Sequence, residues 1–292
     1  MELVQQIING ISLGSIYALI ALGYTMVYGI VKLINFAHGD IFMIGSFIGF
    51  YSITILNLGL FPALILSMVV CAIFGVLIER IAYKPLRNAT RIAALITAIG
   101  VSLFIENGFI YIRGAQPVTY PGDVLPIKNI EWFSLTISSQ SLSILGISIT
   151  LMIILQLIVH KTKIGKAMRA VSLDYDAARL MGINVNNTIS ATFAIGSALA
   201  GAAGVIFGLY YIKIEPLMGI IPGLKAFIAA VLGGIGLIPG AMVGGLLLGL
   251  IESLVSAAGF SLWRDGAAFI VLILILIFRP SGLLGKNTKE KV

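Results

Sequence analysis

The sequence predicts an all-α fold, a polytopic bundle of transmembrane helices. Of its 292 residues, 59% are hydrophobic and only 11% are charged, whereas a soluble domain carries about 25% charged residues. The apolar residues are collected into runs close to the roughly 20 residues that a helix needs to cross a bilayer. The net charge of +7 comes from cations in the loops between these runs. It therefore indicates membrane topology and a lipid environment rather than a nucleic-acid partner.

Eight or nine spans follow one another in a single transmembrane domain that covers residues 1–292. We place them at about 8–31, 41–58, 61–82, 92–112, 141–159, 188–209, 223–238, 240–258 and 266–278. The last three are the least regular, because glycines and Pro239 interrupt the apolar sequence there. Broken or re-entrant helices are expected in such a region, provided that protein surrounds the freed backbone groups.

The cations orient the spans. Three segments concentrate Lys and Arg, namely 80–91, 161–179 and 279–291, and the positive-inside rule places all three in the cytoplasm. This needs nine crossings with the N-terminus outside, so the C-terminus is predicted to be cytoplasmic and the loop 114–140 external. With eight crossings, one late segment would be re-entrant or one terminus would change sides.

A short helix with defined ends is predicted in the polar segment after the fifth span. Ser172 is a suitable N-cap. Asp174 and Asp176 would lie in the first turn, where the helix dipole favours negative charge, and Arg179 in the last turn, where it favours positive charge. Gly182 can adopt the left-handed conformation that ends a helix.

The same helix carries an apolar stripe inside a polar loop, residues 160–187. Leu173, Ala177 and Leu180 recur at i, i+4 and i+7, with Met181 beside them, which is the spacing of one helix face. An amphipathic helix in an aqueous loop needs a bilayer surface or another protein to cover it. We interpret it as a docking helix for a soluble partner.

Small residues recur every four positions in the sixth span, at Gly196, Ala200, Gly204 and Gly208. Such faces let helix backbones approach closely in lipid. They predict helix packing within one subunit; a subunit interface or a moving helix is the alternative.

Two carboxylates, Glu106 and Glu252, fall within predicted spans. Charge at membrane depth is costly and is often functional. Each is interpreted either as an interhelical or interfacial contact or as part of the substrate pathway.

Polar residues also join the first two spans, at Asn35, His38, Gly39 and Asp40. Asn, Gly and Asp are common turn residues, so a structural turn explains them. A gating role at the membrane boundary is the second interpretation.

The sequence carries no nucleotide-binding or catalytic motif that we recognise. The Gly-Lys pairs at 165–166 and 285–286 lack the first glycine and the Ser or Thr of a phosphate-binding loop. Cys71, His38 and His160 do not form a metal-ligand cluster. We therefore expect a chain that is not an enzyme and binds no cofactor, so that energy comes from a partner or from an ion gradient.

Several motifs resemble one family of membrane proteins. Asp176-Ala177-Ala178, followed after three residues by Gly182, is similar to the E-A-A-x-x-x-G core of the cytoplasmic loop in bacterial ABC importer permeases. Further similar stretches are GSIYAL at 14–19, GYTMVYG at 23–29, NFAHGD at 35–40, GGIGLIPG at 233–240 and RPSGLLG at 279–285. Together they resemble the LivH-type permeases of branched-chain amino acid ABC importers, over nearly the whole chain.

The resemblance implies a function and a set of partners. A homologous second permease would complete the pathway for leucine, isoleucine or valine in a bacterial plasma (inner) membrane. Two cytoplasmic ATPase subunits would bind ATP and Mg and dock on the permeases, and an external solute-binding protein would deliver the substrate. The alternative is an ion-coupled secondary amino-acid transporter, which would need inverted repeats with paired broken helices. No convincing internal sequence match supports that alternative.

Carried over residue by residue, the resemblance implies an ATPase contact at the predicted docking helix. Its centre would be Asp176, Ala177, Ala178 and Gly182, and its apolar face would be formed by Leu173, Leu180 and Met181. This sequence departs from the family pattern in two ways. Asp replaces the longer Glu, and the Ile-Leu-Pro ending of the longer motif does not follow Gly182.

Overall fold

The computed structural model describes residues 2–87, 89–121, 129–132 and 135–285. Eleven α-helices occupy most of this described chain. Their bounds are α1 Glu2–Val31, α2 His38–Thr54, α3 Leu60–Ile78, α4 Arg91–Arg113, α5 Ser139–Lys161, α6 Lys163–Leu173, α7 Tyr175–Leu180, α8 Val185–Tyr211, α9 Ile220–Gly233, α10 Ile238–Ala257 and α11 Arg264–Phe278. A π-helical turn, Glu79–Tyr83, extends α3, and a 3₁₀ turn, Ser261–Trp263, precedes α11.

The predicted polytopic helical fold is confirmed. Each of the nine predicted spans corresponds to one helix, and among the described residues seven helices are long and apolar enough to cross a membrane. The other two are short, with 17 residues in α2 and 14 in α9. At 1.5 Å per residue they extend about 26 and 21 Å, less than the roughly 30 Å of a bilayer core.

The predicted bounds of the seventh span, 223–238, are wrong. The helix α9 begins earlier, at Ile220, and ends at Gly233. Gly234 has a φ of +107°, a conformation that Gly adopts readily and that ends the helix. The apolar residues that follow belong to a turn and to the start of α10, so hydropathy alone extended the span too far.

The two short helices begin at the same place inside the bundle. α1 ends at Val31, but the chain then turns back, so that His38 at the start of α2 lies against Gly23 of α1. Gly23 precedes the end of α1 by roughly two turns, or about 12 Å. Gly39 of α2 packs directly on Gly219, the residue before α9. The starts of α2 and α9 therefore meet head to head at one depth.

Eight of the eleven described helices form two halves of four helices each, α1–α4 and α8–α11. Each half begins with a long helix, which a short helix follows. Each long helix packs along a helix of the other half: α1 packs along α10, and α8 packs along α3. Gly14 contacts Gly249 in the first pair and Gly201 contacts Cys71 in the second. These small residues let the backbones approach closely.

The long helices form the centre of the bundle and the last helix of each half lies at its edge. In the most apolar stretch of each helix, 78% of the residues are buried in α1 and in α8, whereas 11% are buried in α4 and 6% in α11. α4 packs inward through one stripe, with Ala94, Ala98 and Glu106 buried and Ser102 between them. Its other faces are available to lipid or to another subunit.

The loop predicted as external contains short strands. β1, Val118–Thr119, pairs antiparallel with β4, Lys213–Ile214, and β2, Asn129–Trp132, pairs with β3, Leu135–Ser138. Residues 122–128 and 133–134 of this loop lie outside the described residues, as do residues 286–292 of the predicted cytoplasmic tail.

Candidate functional site

The predicted docking helix is present, but its N-cap is not Ser172. Ser172 lies in the last turn of α6, where its hydroxyl donates to the Arg169 carbonyl at 2.8 Å. Asp174 is the N-cap of α7, and its carboxylate accepts from the backbone N–H groups of Asp176 at 2.8 Å and of Ala177 at 3.0 Å. Asp is as good an N-cap as Ser, and here the extended backbone of Asp174 ends α6 and begins α7.

The predicted C-terminal end of the same helix has the expected conformation. Gly182 has a φ of +79°, and its N–H donates to the Arg179 carbonyl at 2.9 Å. The next N–H, of Ile183, donates to the Ala178 carbonyl at 3.0 Å. These bonds satisfy carbonyls that a helix end otherwise leaves free.

The apolar residues predicted for the docking helix are exposed, but they do not all belong to α7. Leu173 is the last residue of α6, and Met181 directly follows α7. Leu173, Leu180 and Met181 are 88%, 89% and 81% exposed, and Ala177 lies beside them at the surface, whereas Ala178 is buried and fixes the helix to the body. An open groove of about 580 Å³ runs between α6 and α7. We call this region the docking surface; exposed apolar groups gathered in this way typically mark an interaction site.

The docking surface is connected to α1. The Tyr175 hydroxyl, in the first turn of α7, donates to the Ile30 carbonyl at 2.6 Å. Partial burial raises the pKa of this hydroxyl, and nearby Arg87 opposes that shift, so the group stays protonated and remains a donor at neutral pH. This hydrogen bond joins the first turn of α7 to the end of α1, where the break before α2 begins.

A second connection, which sequence reasoning missed, involves Glu79 in the π-helical turn. Its carboxylate is fully buried, forms an ion pair with Arg87, and accepts from the Ser190 hydroxyl of α8 at 2.6 Å. Arg87 also donates to the Asn186 side chain at 2.5 Å. The cations of 80–91 were interpreted as topology signals only, but Arg87 joins the α3–α4 connection to the start of α8.

In the predicted turn before α2, Asn35 and His38 are buried and contact other helices. Asn35 accepts from the Tyr83 hydroxyl at 2.9 Å. His38 is fully buried, with its ring centroid 4.6 Å from that of Tyr24. The proposed gating role of these residues stays a prediction.

Asp40 and Glu106, which lie far apart in the sequence, are brought together. Both are buried, and the Asp40 carboxyl group interacts with Ser102 and Glu106 of α4. They line a cavity of about 170 Å³ between α4 and the starts of α2 and α9. We call it the junction cavity.

Glu252 has a different environment. The Lys225 ammonium lies 2.9 Å from Glu252 and 2.7 Å from Asp265. Arg264 lies 3.4 Å from the second Glu252 oxygen, which also accepts from Tyr17 at 3.1 Å. This network joins α1, α9, α10 and α11, which favours the interhelical-contact interpretation. Lys225 was missed, although a lone lysine in an apolar span is itself a sign of a buried partner.

The small residues of α8 face other helices and the loop after β1 in the same chain. Gly196 packs near Gly23 of α1, Gly204 against Phe42 of α2, and Gly208 against the Tyr120 ring. Ala200 is fully buried on the same helix. The described contacts are thus those of packing within one subunit.

Comparisons with known proteins give a consistent result. Residues 6–277 match the family model described as "Branched-chain amino acid transport system / permease component". The chain is 44% identical to the high-affinity branched-chain amino acid transport system permease protein BraD of Pseudomonas aeruginosa and 43% identical to the corresponding protein LivH of Escherichia coli K12. Each alignment covers 99% of this chain and 97% of the relative. A probable branched-chain amino acid transport permease of Methanocaldococcus jannaschii is 30% identical over 94% of this chain and 90% of its own length.

Proposed function

This chain belongs to the family of branched-chain amino acid permeases, the membrane-spanning subunits of ABC importers, and we propose that it acts in a complex driven by separate ATPases. A homologous second permease completes the pathway for leucine, isoleucine or valine. Two ATPase subunits bind ATP and Mg, and a solute-binding protein delivers the amino acid from outside. The membrane is a bacterial plasma (inner) membrane, and the docking surface and the C-terminus lie on its cytoplasmic side.

The observation that carries the proposal is the docking surface. A helix of only 6 residues would not be stable alone, yet α7 has a capping Asp174, an ending Gly182 and an anchoring Ala178. The two ends of α7, with the last residue of α6, leave three large apolar side chains uncovered, namely Leu173, Leu180 and Met181. A soluble partner with an apolar cleft would bury them, and the burial of a Leu or Met side chain contributes about 1.5–3 kcal/mol.

The contacts behind the docking surface supply a route for coupling. Movement of α7 acts through Tyr175 on the end of α1, and through the turn that holds Asn35 on the start of α2. The contact of Glu79 with Arg87 and Ser190 keeps α3 and α8 in register during this movement. Nucleotide-driven displacement of the ATPases is thereby converted into displacement of the junction between α2 and α9.

The test is Ala177→Arg, which places a charge in the middle of the docking surface. We expect this variant to insert normally but to lose the ATPase from the purified complex, with ATP-dependent leucine uptake lost in proteoliposomes that contain all partners. The matched control is Ala115→Arg, which adds the same side chain at an exposed site in the loop predicted as external. The control should retain both ATPase and uptake.

Two results would contradict the proposal. One is retention of ATPase binding and uptake by Ala177→Arg. The other is leucine uptake by this chain alone under a proton or sodium gradient, which would establish the ion-coupled alternative.

A further inference from the structure

We propose that the junction cavity binds the transported amino acid itself, holding its α-ammonium at Asp40 and Glu106 and its α-carboxylate at the meeting starts of α2 and α9. The proposal rests on the function proposed above and adds a specific binding site within the membrane part. The apolar side chain of the substrate would lie on the aliphatic wall of the same cavity.

The two acids at the junction cavity have no cationic partner among the described residues. Among the described residues four carboxylates are buried: Asp40, Glu79, Glu106 and Glu252. Glu79 is paired with arginine and Glu252 with lysine and arginine, but no described cation pairs with Asp40 or Glu106. Buried charges are normally paired. Asp40 and Glu106 lack the cation that Glu79 and Glu252 have.

One carboxylate oxygen at this cavity has no partner. Asp40 is only 3% exposed, and its Oδ2 atom makes no hydrogen bond within the described chain. Leaving a buried acceptor unsatisfied is costly. The α-ammonium group of an amino acid carries three N–H donors and a positive charge, so it satisfies Asp40 and Glu106 together.

The opposite charge of the substrate has a suitable place on the other wall. Neither α2 nor α9 has a side chain that caps its N-terminus in the described structure. Helix N-termini carry positive partial charge and bind carboxylates. Gly39, Gly219 and Gly223 line the cavity here, and the absence of their side chains lets the starts of α2 and α9 approach each other at this wall.

The remaining wall fits a branched aliphatic group. Ile99 and Leu103 of α4 and Ile220 and Leu224 of α9 line the cavity. Its volume of about 170 Å³ exceeds the roughly 150 Å³ of an apolar cavity that holds benzene.

The experiment measures leucine binding to the permease–ATPase complex in lipid nanodiscs, without the solute-binding protein. The probes are leucine, 4-methylpentanoate, which lacks the ammonium, and leucinamide, which lacks the carboxylate. We expect leucine to bind more tightly than either analogue. Glu106→Gln should weaken leucine by about 10- to 100-fold, the loss of a charge-assisted hydrogen bond, and should leave 4-methylpentanoate unchanged.

Two further variants keep the test decisive. Leu103→Trp fills the cavity from a half-exposed position and should abolish binding of all three probes, even if Glu106→Gln fails to fold. Glu215→Gln removes a carboxylate at an exposed site and should bind leucine normally. Absence of leucine binding in the unmodified complex, or equal affinity in every variant, would overturn the proposal.

The failure of this site is distinguishable from failure of the importer function. In the first case the ATPase still copurifies with the chain and uptake continues, with no change in leucine affinity in Glu106→Gln. In the second case the ATPase is absent from the complex, whatever the affinity for leucine.

Discussion

Replacing the Lys225 side chain should lower the free energy of unfolding more than replacing its partner Glu252. The reason is that the buried charge left behind keeps different partners in the two variants. In Lys225→Met, Glu252 stays 0% exposed and loses the ammonium at 2.9 Å. It keeps Arg264 at 3.4 Å and the Tyr17 hydroxyl at 3.1 Å. Breaking a buried pair costs about 3–5 kcal/mol, and the two remaining partners place this variant near the lower limit, at about 3 kcal/mol.

The reciprocal variant leaves a better-compensated charge. In Glu252→Gln, Lys225 keeps Asp265 at 2.7 Å, and the Asp265 side chain is 55% exposed, so the ammonium stays paired and partly hydrated. We expect a loss of about 1.5–2 kcal/mol, at the lower end of the range for one hydrogen bond to a charged group. The double variant removes both charges and should cost about 2 kcal/mol, well below the sum of the two single losses.

The assay is reversible unfolding in mixed micelles, followed by helical circular dichroism as the denaturing detergent is titrated. The four proteins of the cycle are compared by their free energies of unfolding, and the coupling energy between Lys225 and Glu252 is the departure from additivity. Two outcomes would refute the reasoning: a loss below about 1 kcal/mol in Lys225→Met, or additive losses in the double variant.

Two other substitutions test the packing and the coupling route. Gly201→Leu should abolish the monodisperse peak in gel filtration, because even a Cβ there would lie 2.8 Å from the Cys71 sulfur and overpacking is costly. Gly100→Leu should leave the peak intact, because a Cβ there would meet no described atom outside its own helix turn within 4 Å. Equal behaviour of the two variants would contradict this packing. Tyr175→Phe removes the hydrogen bond to Ile30, worth about 1 kcal/mol, and should lower the leucine taken up per ATP hydrolysed in proteoliposomes; an unchanged ratio would exclude this contact from coupling.

The sequence was sufficient to predict features that depend on local chemistry. Apolar runs located the nine membrane-associated helices, and Gly182 was correctly placed at the end of α7. The N-cap was predicted at Ser172 and lies at Asp174, because both residue types are good caps and the two positions are only two residues apart. The choice between them depends on where α6 ends, which is a property of packing against the body of the bundle.

Features that depend on tertiary contacts could not be read from the sequence. Asp40 and Glu106 are neighbours because α4 presents one stripe to the start of α2, and neither local pattern contains that information. The packing of α1 and α8 along helices of the other half requires only small residues at the close contacts. Many sequences provide small residues at these contacts, so the amino-acid sequences of the two halves need not resemble each other.

The packing of α1 along α10 also has a consequence for biosynthesis. Tyr17 and the Glu252 carboxylate that it contacts are separated by 235 positions in the chain. At about 5–20 residues per second, a ribosome needs roughly 12–47 s to produce the second after the first. Throughout that time the nascent α1 exposes a glycine face and a tyrosine hydroxyl with no Glu252 to receive it. Maturation therefore depends on the last helices to be synthesised, and a chain truncated before α10 should be recognised and degraded as an unassembled intermediate.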